Sequence, residues 1–487
     1  MDASERGVTA EMRHHLDELR EAGVEPYPRR YERTHLASAV VDGFDELEGQ
    51  TVTVAGRLKS VRSHGKAGFA DLVDMSGKVQ LFVRQNDVGD ETFSVWKLLD
   101  VGDHVGAVGE VMKTRTGEVS VRVRDLTLLA KALRPLPEKW HGVKDVEVRS
   151  RRRYLDLIAN DESRRVFLAR SAIVRTIREF LHERGFVEVE TPILQPIYGG
   201  AFAAPFVTRH HALDAELYLR IADELYLKRL IVGGIERVFE IGKDFRNEGM
   251  DRTHSPEFTQ LEIYQAYADY EDMMALTEEM VVAAATEVAG GTTVEWQGET
   301  IDLAPPWRRL TVDEAVREAL GVPVTAATGE LAAALRQRGV DPPESAERAA
   351  LIEATLSELV EPSLVQPTFL MDYPIEVSPL AKEKPDAPGF VERFEPFVAG
   401  VEIGNSFTEL NDPLEQRARL ELQEEQRRKG DSEAQGIDED FLAALEHGMP
   451  PTGGLGIGID RLVMLLTGAS HIRDVILFPA MRHESGE

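Results

Sequence analysis

The stretch Phe258-Thr259-Gln260-Leu261-Glu262-Ile263-Tyr264 reads as a strand whose period of two sets Gln260, Glu262 and Tyr264 on one face and Leu261 and Ile263 on the other. A carboxylate and a phenol on one sheet surface can hold a cationic group. The same construction returns at Asn405, Phe407 and Glu409, which share a strand face, after Glu395 and Glu402, seven positions apart across a bend expected at Ala399-Gly400. Two carboxylates brought together beside phosphates are what Mg²⁺ requires, since it takes hard oxygen ligands and few of them from protein. Glu224 falls in the first turn of a helix expected from Asp223 to about Val232 and closed by Gly233-Gly234, a place the helix dipole favours for an anion. Arg246 and Glu248 sit in the polar loop Phe245-Arg246-Asn247-Glu248-Gly249, with His254 a few residues on. Finally, Gly453-Gly454-Leu455-Gly456-Ile457-Gly458-Ile459-Asp460-Arg461 reads as a glycine-rich strand, where close backbone approach is needed, running into a helix with Arg461 in its first turn. A cation there opposes the dipole, so Arg461 is expected to meet another anion, and a triphosphate would serve. Taken singly, each pattern also fits an ordinary packed or solvated position. His210 and His211 give no metal site on this reading, because adjacent strand residues point to opposite faces.

These residues need elements to hold them. Residues 9–21, with Met12, Leu16 and Leu19 in step, predict one amphipathic helix within a lead-in of residues 1–50. From Thr51 to Leu129, short alternating strands separated by Gly, Asp and Ser turns predict a five-stranded all-β barrel of OB size, assigned to residues 51–133. The proline-containing stretch RPLPEKWHGVKD places a linker at 134–150, and residues 151–487 alternate helices and strands without GxGxxG or GxxxxGK[ST] loops. Within that region, Phe167, Ile173, Ile177, Phe180 and Leu181 form a helical stripe that stops at Gly185 and passes into a strand from Phe186 to Glu190; another strand is expected from Ile235 to Ile241, and a small helical insertion at about 310–365. The fold class is α+β.

With 487 residues, 43% of them hydrophobic and 29% charged, the chain can build two or three domains with proper cores. It contains no cysteine, which excludes disulfide scaffolds, thiol nucleophiles and thiolate metal sites. The charged start and the lack of a long apolar run predict a soluble, cytoplasmic protein with no membrane partner. The net charge of −29 argues against nucleic acid as a partner of the whole surface. Residues 51–150, however, carry 16 Lys and Arg against 13 Asp and Glu, a mildly basic module on an acidic body.

Three of these stretches, Gly185 to Pro192, Phe245-Arg246-Asn247-Glu248 through Phe258, and Gly454 to Arg461, resemble in order the signature motifs of class II aminoacyl-tRNA synthetases. Longer stretches, LYLRIADELYLKRLIVGGIERVFEIGKDFRNEG, HSPEFTQLEIYQAYADY, EIGNSFTELNDP and GLGIGIDRLVMLLT, look like the lysyl-tRNA synthetase family within that class. The resemblance implies activation of L-lysine by ATP to lysyl-adenylate and transfer to the 3′-terminal adenosine of tRNA(Lys). It also implies an N-terminal OB anticodon-binding barrel, an antiparallel six-stranded catalytic sheet flanked by helices, Mg²⁺, and a homodimer. Carried over residue by residue, Arg246 would bridge the lysine carboxylate and the α-phosphate; Glu248 and Phe258 would read and stack on adenine; His254 and Arg461 would hold the γ-phosphate end. Glu395 and Glu402 would bind Mg²⁺. Glu224 and the backbone at Gly200 would take the α-ammonium, Asn405 the carboxylate together with Arg246, and Glu262, Tyr264 and Glu409 the ε-ammonium. In the barrel, Phe69, Gln80 and Glu118 match positions that contact anticodon bases in the family. The sequence departs from the bacterial pattern at Tyr198 and Ala204, where a proline and an arginine are common, and has no basic residue directly before His254. Two rival readings are a catalytically inactive tRNA-binding paralogue and a ligase that attaches lysine to a protein. Against the first stand Arg246, Glu402 and Arg461; against the second stands the barrel.

Overall fold

The computed structural model describes residues 3–137, 145–343, 347–428 and 436–482. The chain forms two compact units, Met1–Lys144 and Asp145–Glu487. In the smaller one, β1 (Thr51–His64), β2 (Ala67–Val73), β3 (Lys78–Arg84), β4 (His104–Lys113) and β5 (Val119–Ala130) close into a barrel in the order β1-β2-β3-β5-β4. Strict alternation drives the closure: Val79, Leu81 and Val83 of β3 point into the core while Gln80 and Phe82 stay half-buried outside. The N-terminal helix spans Ala3–Glu21, and Met12, Leu16 and Leu19 are its buried stripe. Of the linker expected at 134–150, residues 138–144 lie outside the described ones, and a helix, Val146–Arg151, already begins within it; the Asp145 side chain caps this helix by accepting from the Glu147 and Val148 amides.

The larger unit continues with β6 (Val187–Glu188), a small sheet of β7 (Leu194–Gln195), β8 (Val207–His210) and β9 (Ala215–Leu219), then β10 (Arg237–Phe245) and β11 (Glu257–Ala266). A hairpin of β12 (Thr293–Trp296) and β13 (Glu299–Asp302) precedes β14 (Arg308–Thr311), β15 (Thr368–Pro374), β16 (Phe390–Val398), β17 (Val401–Glu402), β18 (Gly404–Thr408) and β19 (Thr452–Gly458). The main sheet runs β14-β15-β16-β18-β19-β11-β10-β6, with β17 paired to β16. Its middle, β15 through β10, is the antiparallel six-strand run; β14 and β6 extend it with one parallel pairing at each edge. Only Val187 and Glu188 of the strand expected at 186–190 pair with β10, while Phe186 turns into the core. Conversely, β10 runs on to Phe245, which carries Arg246 to the end of a sheet strand.

One face of this sheet is sealed by the helices Asp161–Glu183, Tyr270–Ala289 and Ile459–Thr467. Leu261 and Ile263 of β11 join Ile173, Ile177, Met280 and Leu462 in a fully buried core, which leaves Gln260, Glu262 and Tyr264 for the opposite face. The expected helical insertion holds Val312–Leu320, Thr328–Gln337 and Arg348–Thr355, but Leu310 and Thr311 belong to β14. Thr311 ends the strand and caps the first helix through a capping box with Glu314. Between β16 and β17, Ala399 and Gly400 both take left-handed conformations, φ 51° and 73°, the requirement of a two-residue hairpin whose flanking pairs are Val398–Val401 and Phe397–Glu402. The hairpin tip is bonded to the insertion's end: Ala399 N–H donates to the Val365 carbonyl (2.8 Å) and Gly400 N–H to that of Leu364 (2.9 Å).

Asp460 ties the sheet to its helices. It is 2% exposed, accepts from the Thr259 amide of β11 at 2.7 Å and from Arg170 Nη1 at 2.5 Å, and stands in the first turn of Ile459–Thr467. Asp460→Ala strands a buried amide and an arginine, so it should lower the stability of the larger unit by about 3 kcal/mol, measured by chemical denaturation.

Candidate active site

The open face of the sheet bounds a cavity of about 320 Å³. Its wall includes every residue of the larger unit to which the sequence reading gave a substrate or metal role: Gly200, Glu224, Arg246, Glu248, His254, Phe258, Glu262, Tyr264, Glu395, Glu402, Asn405, Glu409 and Arg461. β11 brings Phe258, Glu262 and Tyr264 there and β18 brings Asn405 with Glu409 just beyond it, while Arg246 follows the end of β10 and Arg461 stands in the first turn of the helix after β19.

One part of the wall is anionic. Glu262, on β11, accepts from Gln260 Nε2 (3.2 Å) and from the Tyr264 hydroxyl (3.1 Å). Burial, then the charges of Glu224 and Asp244, push its carboxyl up to about 8. Glu224 begins the helix Glu224–Val232, and Glu409 follows β18; burial raises both, Glu409 far above the usual range, and in each case the Lys228 ammonium is the main opposing influence. Glu409 Oε2 forms an ion pair with Lys228, while Oε1 finds no hydrogen-bond donor among the described residues. The carboxylates fit because β19 carries no side chains beneath them. A Cβ on Gly454 would lie 1.9 Å from Glu409 Oε1 and 2.7 Å from the Tyr264 ring, and one on Gly456 would lie 2.5 Å from Glu262 Oε1. The glycine run thus serves both the backbone approach expected of it, at Gly453, where a Cβ would lie 2.8 Å from the Asp269 carbonyl oxygen, and the approach of side chains, at Gly454 and Gly456.

Cationic groups occupy other parts of the wall. The Arg246 guanidinium lies over the Phe258 ring, 5.1 Å from its centroid, and its buried Nε has no hydrogen-bond partner among the described residues. Arg461 donates from Nη1 to the Glu402 carbonyl (2.8 Å) and carboxylate (2.9 Å), and its Nη2 lies 2.9 Å from His254 Nε2. His254 Nδ1 is 2.8 Å from Asp251 Oδ2. The anion that Arg461 meets in this structure is therefore Glu402. Glu395 pairs with Arg393 (2.5 Å) and accepts from the Tyr373 hydroxyl (2.7 Å). Burial raises the Glu395 carboxyl, Arg393 opposes this, and Glu402 adds to it. The neighbouring Glu361 is pushed up to about 7 by burial and by the charges of Glu395 and Glu402. Among the described residues no group of three or more His, Cys, Asp and Glu can hold a metal. A cation at Glu395 and Glu402 would therefore depend on oxygens brought by a ligand, which suits Mg²⁺ on a polyphosphate.

In the barrel, Phe69 and Phe82 stack across β2 and β3, centroids 4.7 Å apart and planes 18° from parallel. Gln80 accepts from Ser120 (2.9 Å), and Glu118 accepts from Lys78 (3.2 Å). Phe69 and Gln80 are half-buried and Glu118 is exposed; strand register puts Phe82 and Gln80 two apart on the outer face of β3.

Sequence reading passed over Arg393, Lys228 and Phe82. Each had a signal: Arg393 lies two residues before Glu395 on the same strand face, Lys228 one helical turn after Glu224, and Phe82 two after Gln80. Arg393 joins the carboxylate pair to the rest of the wall, donating from Nε to Asn405 Oδ1 at 3.0 Å. Tyr198, one of the departures, is buried against Tyr218 with Ala203 and Ile221, beneath the loop at Gly200.

Residues 145–482 match the family of class II tRNA synthetases (D, K and N), and residues 52–129 match an OB-fold nucleic-acid-binding domain of the tRNA anticodon type. Among similar proteins, the lysine–tRNA ligase of Moorella thermoacetica is 56% identical over 96% of this chain and 96% of its own. That of Syntrophomonas wolfei is 54% identical over 97% and 96%, and that of Carboxydothermus hydrogenoformans 53% over 96% of each. With its larger unit matched almost end to end and its full length shared with such relatives, the chain belongs to the class II tRNA synthetases of the D, K and N group.

Proposed function

We propose that the cavity activates L-lysine with ATP and passes the lysyl group to tRNA(Lys). The observation that carries this reading is the concentration of three buried carboxylates, Glu224, Glu262 and Glu409, in a wall that also holds the unpartnered Nε of Arg246. Such a wall selects a substrate with two ammonium groups and one carboxylate, because an uncharged side chain would leave the carboxylate oxygens that face the cavity, Glu409 Oε1 among them, without the donors an ammonium brings, a cost of several kcal/mol. The relatives named lysine–tRNA ligase support the same choice.

In the first step a lysine carboxylate oxygen attacks the α-phosphorus of ATP, and the bond to the bridging oxygen breaks, giving lysyl-adenylate and pyrophosphate. In the second, a hydroxyl of the terminal ribose attacks the acyl carbon and AMP leaves. No side chain acts as nucleophile, so the rate comes from alignment and from charge stabilisation. Arg246 suits the junction: its planar fork can hold the lysine carboxylate and the α-phosphate at once, and Asn405, in the same cavity wall, would share the carboxylate. Phe258 offers a face to adenine and Glu248 its hydrogen-bonding edge. Arg461, with His254 Nε2 accepting from its Nη2, forms a cationic end for the outer phosphates. Mg²⁺, held by Glu395 and Glu402, would neutralise phosphate charge. Glu224 and the Gly200 backbone would receive the α-ammonium, and Glu262, Tyr264 and Glu409 the ε-ammonium.

The stacked Phe69–Phe82 pair, with Gln80 and Glu118 on neighbouring positions, supports an anticodon-reading role for the barrel and hence a tRNA acceptor rather than a protein one. We also infer a homodimer from the exposed apolar side chains of Val187, Ile193, Leu194 and Ile197 in one short segment. Among the described residues no helix is long and apolar enough to cross a membrane, and a tRNA substrate would place the protein in the cytoplasm.

Pyrophosphate–ATP exchange with each proteinogenic amino acid tests the reading: lysine alone should support exchange, and exchange with another amino acid, or none, overturns it. Gly454→Ala should abolish lysine-dependent exchange while ATP still binds, because the added methyl must displace Glu409 and Tyr264. Glu262 takes an ammonium only when ionised, and with its carboxyl at about 8 it is mostly protonated near neutrality. kcat/KM for lysine should therefore rise about tenfold per pH unit from about 6.5 toward 8, and Glu262→Gln should flatten the rise. Phe69→Ala should lower aminoacylation efficiency about tenfold or more through lost base stacking and leave exchange unchanged.

A further inference from the structure

Lys228 takes no part in the reading above, which leaves its burial unexplained. Its side chain is 0% exposed and does not reach the cavity wall. The Nζ lies 2.5 Å from Glu224 Oε1 and in an ion pair with Glu409 Oε2, bridging from behind two carboxylates that face the cavity from a helix and from a strand end. Aromatic rings complete its surroundings: the Phe407 centroid is 5.3 Å and the Phe441 centroid 6.0 Å from Nζ. Other charged or titratable groups near the pair are Glu262 and Tyr264 from β11, Asp244 from β10, Asp223 beside the helix start, and Arg393 from β16. The helix Glu439–Glu446 presents Phe441, while Asp438 and Asp440 pair with Arg229 instead. Lys228 is thus the cation bonded to both Glu224 and Glu409.

We propose that Lys228 is a positioning residue for amino-acid specificity: from outside the cavity its ammonium holds Glu224 and Glu409 as fixed, oriented anions, so that the pocket meets a cationic substrate already charged. The proposal rests on the lysine-activating reading. Its logic is charge balance. Three buried carboxylates cannot all remain ionised in an empty pocket. One takes up a proton, and the geometry leaves that to Glu262, whose partners are a neutral amide and a phenol. The other two share a lysine. Burial already pushes both carboxyls up with the Lys228 ammonium as the main opposing influence, so removing that lysine takes away the one cation in contact with both and weakens the discrimination of an ammonium from a methyl group.

The test is Lys228→Met, assayed by lysine-dependent exchange from about pH 6.5 to 8.5. KM for lysine near neutrality should rise about 100-fold with KM for ATP unchanged, and the preference for lysine over norleucine should shrink by a similar factor. The plot of log kcat/KM against pH should steepen from about one proton in the wild type toward two or three. Lys228→Arg, which keeps the charge, should restore the wild-type slope. A folded Lys228→Met with wild-type slope and KM, or one that loses kcat and ATP affinity alike, overturns the proposal. If that variant does not fold, calorimetric titration of the wild-type protein with lysine near pH 7, in buffers of different ionisation heat, decides. Release of no more than about one proton supports the proposal, and release of two or more overturns it. Absence of lysine-dependent exchange in the wild type would instead sink the reading on which it rests.

Discussion

Negative charge held out of water is the constraint around which the larger unit is organised. Glu224, Glu262 and Glu409 are buried in one wall, Glu240 and Asp244 are buried on the neighbouring strand β10, Glu240 opposite Glu262, and Glu395 lines the same cavity. A carboxylate in such surroundings either finds a partner or takes a proton. The structure uses both routes. Arg220, 1% exposed, is shared by Glu240 and Asp244; Arg393 serves Glu395; and Glu262 is left with a raised affinity for a proton. Arg220 is buried at the sheet and Arg393, on β16, lines the cavity itself, so positioning the site and folding the sheet are one problem.

Antiparallel pairing solves that problem. β11 and β18 flank β19, and their alternation delivers polar side chains to one face and apolar ones to the helix-covered core. Glycines in β19 leave the space that the carboxylates of both neighbours occupy. Asp460 then fastens the start of the following helix to β11, which fixes the direction in which Arg461 leaves the sheet.

Much of this was legible in the sequence. Period-two faces gave the grouping of Gln260, Glu262 and Tyr264, and of Asn405, Phe407 and Glu409, and the structure puts both groups on one cavity. Of the stripe Phe167, Ile173, Ile177, Phe180 and Leu181, the last four are core as their spacing predicted, whereas Phe167 is only half-buried, with the Arg153 guanidinium over its ring. Less was visible where long-range partners decide. The parallel edge strands β6 and β14 are too short to show a pattern, and β10 continued past its apolar run because β11 pairs with it throughout. The Glu402 partner of Arg461 and the Lys228 bridge depend on which chain segments fold beside each other, and local periodicity carries no such information. The role of the β19 glycines was read only in part for the same reason: a backbone carbonyl does approach Gly453, but the side chains above Gly454 and Gly456 come from other strands.

The hairpin at Ala399-Gly400 has a consequence for the insertion between β14 and β15. An excursion from a sheet can ordinarily be trimmed, since its ends are close and its own core is separate. Here its last residues, Leu364 and Val365, accept the two amides of the hairpin tip, and a Cβ on Gly400 would lie only 3.2 Å from the Glu361 carbonyl. The insertion therefore serves as a buttress for the arm that carries Glu402. Its core is also shared with Leu370, Val391 and Phe397 of the sheet, so a segment that looks like an appendage in the chain is part of the frame of the site.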